Sequence, residues 1–225
     1  MTLEARKIRL VMELRQEGIT DRRVLGAIER VPRELFVPLN FHDQAYENTA
    51  LPIGHGQTIS QPSVVAFMTQ KLEIGERMKV LEIGTGCGYQ AAVLAQLCRR
   101  VYTIERYREL LKDAEKRFTE MRLRNIITLW GDGTNGWPDQ APFDRIIITA
   151  ASTDAPEQLI EQLTPDGILI APVGGALYGQ ALMLFRRTDD GYSTEELWPV
   201  RFVPMVEGTV DRDDDGSPAG DVGVG

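Results

Sequence analysis

The stretch Val80-Leu81-Glu82-Ile83-Gly84-Thr85-Gly86-Cys87-Gly88-Tyr89-Gln90 constrains the fold more than any other part of the chain. A short apolar run reads as a buried strand, and the alternating glycines turn it into a helix. Glycine reaches positive φ without a Cβ penalty and lets a ligand approach the backbone, but each one costs chain entropy on folding. Three at alternate positions therefore mark a ligand-binding turn rather than an incidental bend. A dinucleotide fingerprint would carry its third glycine one residue later, where this chain has Tyr89, so the pattern departs from the nicotinamide-binding form.

Apolar strands and amphipathic helices alternate around this turn. Strands are expected at 78–83, 101–104, 126–129, 145–149 and 167–172, and helices at 89–97, 106–121 and 155–163. The alternation predicts a Rossmann-like, doubly wound α/β fold with a mostly parallel seven-stranded sheet. The last two strands, near 181–186 and 195–203, have only a turn between them and should be antiparallel.

The first 75 or so residues form a helical N-terminal extension. Leu3, Ile8, Val11, Met12 and Leu14 suggest one helical stripe, and Gly18 a stop. Asp21 can cap a second helix with Val24, Leu25 and Ile28 inward and Pro32 beyond its end. The segment 36–62, rich in Pro, Gly, Asn and His, suits a functional cover. Three parts result: 1–75 with the cover, an α/β core over 76–210, and a tail at 211–225 whose five Asp, four Gly and one Pro cannot bury enough apolar surface to order themselves.

Charge narrows the partners. The 25 basic and 33 acidic side chains give −8, of which the tail supplies half. Residues 1–35 hold eight basic and six acidic side chains, which is no phosphate-binding stripe, so nucleic acid is not an expected partner. No apolar run approaches the roughly 20 residues of a bilayer helix, and the charged N-terminus lacks the apolar core of a secretion signal; a cytoplasmic protein is expected. Cys87 and Cys98 read as members of one helix, about 16 Å apart along its axis, too far for a disulfide. Two histidines make no metal cluster of known spacing.

Glu105 ends the second strand, 21 residues after Gly84, where a carboxylate can accept hydrogen bonds from both hydroxyls of a ribose. Asp132, in Gly131-Asp132-Gly133 after the third strand, lies at the carboxyl edge where open α/β sheets bind ligands; alone it reads as a turn aspartate. Ser60-Gln61-Pro62 before the apolar run Val64, Val65, Phe67 and Met68 reads on spacing as a helix N-cap. Asn135-Gly136 offers the low steric hindrance that favours succinimide formation.

Glu-Ile-Gly-Thr-Gly-Cys-Gly-Tyr-Gln at 82–90, with Glu105 and the Gly131-Asp132-Gly133 turn, resembles the S-adenosylmethionine site of class I methyltransferases. Tyr46-Glu47-Asn48, Pro52-Ile53-Gly54 and Gln57-Thr58-Ile59-Ser60-Gln61-Pro62 resemble the signature of the protein-L-isoaspartate O-methyltransferase family over nearly the whole chain. Cys87, where serine is more usual, and the acidic tail are the visible departures. The resemblance implies S-adenosylmethionine bound by Gln57, Thr58, Glu82, Gly84, Thr85, Gly86, Gly88, Tyr89, Glu105, Asp132 and Gly133. It implies an isoaspartyl peptide or protein held by Ile53, Gly54, Thr58, Ser60 and the backbone at Val203, with Ser60 as the catalytic hydroxyl and no metal. A monomer is expected. The implied reaction methylates the free α-carboxylate; the ester collapses to a succinimide, and hydrolysis regenerates some aspartate. A carboxylate with a pKa of about 3.5 is already ionised at neutral pH, so no general base is needed.

Two other classes compete. A methyltransferase for RNA or a small molecule would share the fold, but amine-methylating enzymes often carry Asn/Asp-Pro-Pro-Tyr/Phe where this chain has Ile148-Thr149-Ala150-Ala151-Ser152. A non-catalytic nucleotide-binding module would bind the cofactor without methylating any peptide.

Overall fold

In the computed structural model, residues 2–175 and 179–211 are described; the expected tail lies outside them beyond Asp211. Helix α1 (Leu3–Gln16) is capped by Thr2, whose hydroxyl accepts from the Ala5 amide, and α2 (Arg22–Arg30) by Asp21, which accepts from Arg23 and Val24. The buried face of α1 is Leu10, Val11 and Leu14, while Leu3, Ile8 and Met12 are exposed, which corrects the expected stripe. At about 100° per residue, Ile8 and Met12 point away from Leu10 and Leu14, and Leu3 precedes the packed turns.

Two 3₁₀ turns (Arg33–Phe36 and Leu39–Gln44) lead to a hairpin of β1 (Leu51–Gly54) and β2 (Gln57–Ile59), then to α3 (Pro62–Lys71). The main sheet follows: β3 (Lys79–Ile83), α4 (Tyr89–Ala95), β4 (Arg100–Glu105), α5 (Arg108–Glu120), β5 (Ile126–Trp130), β6 (Phe143–Ile148), α6 (Glu157–Ile160), β7 (Leu163–Gly175), β8 (Gly179–Thr188) and β9 (Gly191–Val200). Its order is β5-β4-β3-β6-β7-β8-β9, parallel through β7 and antiparallel thereafter. The seven-stranded, mostly parallel sheet is the one expected.

Two elements differ. The helix expected over 155–163 is a single turn, because Pro156 precedes it and β7 already pairs with β6 at Leu163. Helix α4 ends at Ala95, so Cys87 and Cys98 flank it rather than share it, both as buried free thiols.

Strand alternation divides the core between the two faces. Ile147 of β6 belongs to one buried cluster with Ala92 and Val93 of α4 and with Leu14 and Ile28 of the N-terminal helices. Ile146 and Ile148 face the other way, towards Leu81, Tyr102 and Leu159. The N-terminal helices thus share the core of the sheet. Strands β4 and β6 flank β3, so the chain order reverses there, and the loops at the carboxyl ends of these strands border the crevice where such sheets bind ligands.

Candidate active site

The glycine turn leaves β3 in a conformation that depends on its missing side chains. Gly84 has φ +94°, and a Cβ there would stand 2.4 Å from Oγ1 of Thr149. That hydroxyl, at the end of β6, donates to the carbonyls of Ile83 and Gly84 at 2.9 and 2.7 Å, tying the turn to the neighbouring strand. A Cβ on Gly88, at φ +91°, would meet the Phe118 ring at 2.7 Å, so this glycine lets α4 and α5 close together.

Behind the turn, Oγ1 of Thr103 donates to Oε2 of Glu82 at 2.5 Å and lies 2.6 Å from the Thr85 hydroxyl. Glu82 is fully buried, and its other carboxyl oxygen has no protein partner. Burial pushes its pKa up to about 8, against the Thr103 hydrogen bond and with some help from Glu105. A folded-state pKa above the unfolded one means the native state holds the extra proton. The stabilisation is therefore complete below about pH 4.5 and is lost as pH rises from there through about 8. Thermal melts should show Glu82→Gln flattening the fall in stability over this window, by up to about 1.4 kcal/mol per pH unit; parallel curves for the two proteins would contradict this.

Glu105 ends β4 with its carboxylate against the cavity. Oε2 accepts from the Gly86 amide at 2.8 Å and Oε1 from the Tyr107 amide at 2.9 Å. Burial raises its pKa, opposed by these amides, and the acceptor positions they leave free face the site.

The hairpin supplies the opposite wall. Its turn runs through Gly54, His55 and Gly56, all at positive φ, and the His55 ring reaches Tyr107 with centroids 5.3 Å apart. Gln57, Thr58 and Ser60 are thereby laid along the cavity. Ser60 is not the cap of α3. The N-cap is Gln61, one residue later, and the amide of Ser63 is satisfied from a distance by Oδ1 of Asn48 at 3.0 Å. The capping reading of Ser60 is thus overturned, and its hydroxyl is left for other work. Its carbonyl accepts from the buried Arg33 guanidinium at 2.7 Å.

These elements enclose a cavity of about 250 Å³. Of the expected residues it gathers Gln57, Thr58, Ser60, Gly84, Thr85, Gly86, Tyr89, Glu105, Gly133 and Val203. A larger depression beside it, about 1060 Å³, shares Thr58, Ser60, Thr149 and Val203 and extends to Trp198 and Arg201. Ile53, Gly54, Glu82, Gly88 and Asp132 are absent from the lining. Ile53 packs beneath Gly86, where a Cβ would meet its Cδ1 at 3.3 Å, and Gly54 belongs to the hairpin turn. Asp132 accepts from the amide and hydroxyl of Thr134 at 2.9 and 2.7 Å and from the Gly208 amide at 2.6 Å. Its slight burial works upward on the pKa, but these donors bring the carboxyl below its ordinary range. Asp132 thereby fastens the C-terminal segment to the turn, where Gly133 is pressed on Ile83. The carbonyl of Val203 accepts from Ala151 at 2.7 Å, so the group it has left to offer is its amide N–H.

Sequence reasoning missed Thr149, Tyr107, Gln90 and Arg33. The first two follow β6 and β4 at the carboxyl edge, a position that could have flagged them. Gln90 donates to Thr69 across two helices at 3.0 Å, which no local pattern announces. The Asn135-Gly136 expectation meets a constraint: the Gly136 amide, needed as nucleophile, donates to the Gly133 carbonyl at 3.0 Å in a 3₁₀ turn.

A glycine turn at the β3 end, an acid at the β4 end and a cavity between them define the class I S-adenosylmethionine-dependent methyltransferases. Within that class the chain belongs to the protein-L-isoaspartate(D-aspartate) O-methyltransferase (PCMT) family, whose model matches residues 5–210. It is 60% identical over 91% of its length to a protein-L-isoaspartate O-methyltransferase of Parvibaculum lavamentivorans, covering 93% of that protein. With the protein of the same name from Paramagnetospirillum magneticum it shares 61% identity over 91% of this chain and 96% of the other. A solved protein-L-isoaspartate O-methyltransferase superposes with a TM-score of 0.80 at 28% identity, over 91% of this chain and 67% of that one. The fold also matches that of a beta-aspartate methyltransferase (PCMT) from Plasmodium falciparum solved with S-adenosyl-L-homocysteine, with a TM-score of 0.78 at 22% identity, over 88% and 97% of the two chains. The activity is that of the family: methyl transfer from S-adenosylmethionine to the carboxylate of isoaspartyl residues in proteins.

Proposed function

We propose that Ser60 receives the α-carboxylate of the isoaspartyl residue and orients it toward the methyl donor. One observation carries this assignment: Ser60, Thr58, Thr149 and Val203 line both the cavity at the glycine turn and the wider depression. They stand at the only junction between the two among the described cavities, where donor and peptide must meet. The cofactor fits the side of the glycine turn, because Gly84 and Gly86 line that cavity without side chains and Glu105 lines it with a carboxylate suited to ribose hydroxyls. Bound there, S-adenosylmethionine supplies an electrophilic methyl group on a sulfonium.

The chain's own part is binding and alignment. Gly84, Thr85 and Gly86 present backbone, Glu105 accepts from the ribose, and Gln57, Thr58 and Tyr89 close the walls. Gly88, Glu82 and Asp132 act from behind, holding α4, the Thr85 network and the Gly133 turn in place. On the peptide side the Ser60 hydroxyl donates to one carboxylate oxygen and leaves the other in line for attack, while the Val203 amide takes a backbone carbonyl of the substrate; Ile53 and Gly54 shape the hairpin around it. Opposite charges are consumed in the reaction, so water, which stabilises the separated ions, slows it; the hairpin shields the junction and supplies orientation instead. Two buried free cysteines suit a cytoplasmic chain, and we assign this enzyme to the cytoplasm as a monomer.

Binding to the S-adenosylhomocysteine-loaded enzyme tests the carboxylate assignment. An isoaspartyl peptide should bind about 30-fold more tightly than the same peptide with an α-carboxamide, the difference expected of charge-assisted hydrogen bonding. Equal affinities would contradict it.

A further inference from the structure

Arg33 is fully buried, and among the described residues it takes part in no ion pair. One guanidinium nitrogen, Nη2, donates to the Ser60 carbonyl at 2.7 Å, while Nε and Nη1 have no protein partner. The guanidinium carbon lies 4.7 Å from the centroid of the Tyr89 ring, and Tyr89 lines the cavity. A guanidinium remains protonated even when buried, and an unpaired buried charge is among the costliest arrangements a fold can carry. The groups around it do not cancel the charge. Tyr46, Cys87 and Tyr89 are neutral at physiological pH, each with its pKa pushed up by burial, and the Glu34 carboxylate, which accepts from the Tyr46 hydroxyl, forms no ion pair with it.

We propose that Arg33 is a positioning residue whose buried charge, acting through the Ser60 backbone it holds, is completed by the substrate carboxylate. The inference rests on the assignment of Ser60 as the carboxylate receiver. Ser60 lines the cavity and its carbonyl accepts from Arg33, so a carboxylate received by Ser60 would be separated from the cation by about one residue. Across roughly 7 Å at an effective dielectric constant of about 20, that attraction is worth on the order of fiftyfold in affinity. It selects for an anion at the one place where the reaction needs one.

The test measures discrimination between the isoaspartyl peptide and its α-carboxamide twin on S-adenosylhomocysteine-loaded enzyme. Arg33→Gln keeps a donor for the Ser60 carbonyl but removes the charge. It should cut discrimination about tenfold or more while the S-adenosylhomocysteine Kd stays within threefold. Arg33→Lys keeps the charge at pH 7 and should preserve most of the discrimination. It should then lose it between pH 7 and 9, because burial depresses the lysine pKa, whereas the unchanged enzyme does not lose it. This pH profile decides the question if Arg33→Gln does not fold. Full discrimination in Arg33→Gln, a parallel loss of S-adenosylhomocysteine binding, or a flat pH profile in Arg33→Lys would overturn the proposal. Absence of discrimination in the unchanged enzyme would instead remove the Ser60 assignment beneath it.

Discussion

Ser60→Ala should lower kcat by about two orders of magnitude and leave both the melting temperature and the affinity for S-adenosylhomocysteine nearly unchanged. A hydrogen bond from a hydroxyl to a charged group contributes about 1.5–3 kcal/mol, or roughly ten- to a hundredfold, and lost alignment of the attacking oxygen adds to it. The unchanged stability is the sharper half of this expectation. Had Ser60 capped α3, alanine would cost about 1 kcal/mol. The cap position belongs to Gln61, the Ser63 amide is satisfied by Asn48, and the Ser60 contact with Arg33 is made by a backbone carbonyl that alanine retains. A fall in melting temperature with normal turnover per folded molecule would return the residue to a structural role.

Glu105→Ala should weaken S-adenosylhomocysteine binding by on the order of a hundredfold or more. Two ribose hydroxyls lose a charged acceptor, and the amides of Gly86 and Tyr107, now bonded to the carboxylate at 2.8 and 2.9 Å, lose the partner that fixes the glycine turn against the start of α5. Glu105→Gln retains one carbonyl acceptor and should fall between the two. Calorimetric titration distinguishes these cases, and unchanged affinity in both variants would show that the acid serves the turn alone.

The parts of this molecule that were legible in the sequence are those fixed by local chemistry. Gly84, Gly86 and Gly88 all take positive φ, which is why the alternating glycines announced the turn. Glu105 was legible because a strand end fixes where its side chain goes. The helix expected at 155–163 failed because pairing of Leu163 with Phe143 outweighs any local preference. The bond from the Gly208 amide to Asp132 was not legible, because the two are 76 residues apart and no motif announces their meeting. Arg33 was hidden for a related reason: burial of a guanidinium against Ser60 and Tyr89 is a tertiary event, whereas its composition reads as one more surface charge. Ser60 was ambiguous on spacing, and only the arrival of Asn48 at α3 removed the capping role.

The central claim is that this fold and this junction methylate isoaspartyl residues and not ordinary aspartates. Labelled S-adenosylmethionine incubated with an L-isoaspartyl peptide and, separately, with its normal aspartyl twin tests it most directly. Base-labile label should enter the isoaspartyl peptide alone, because only its α-carboxylate is presented to Ser60 with the backbone displaced through the side chain. Equal labelling of the two peptides, or labelling of neither, would contradict the account.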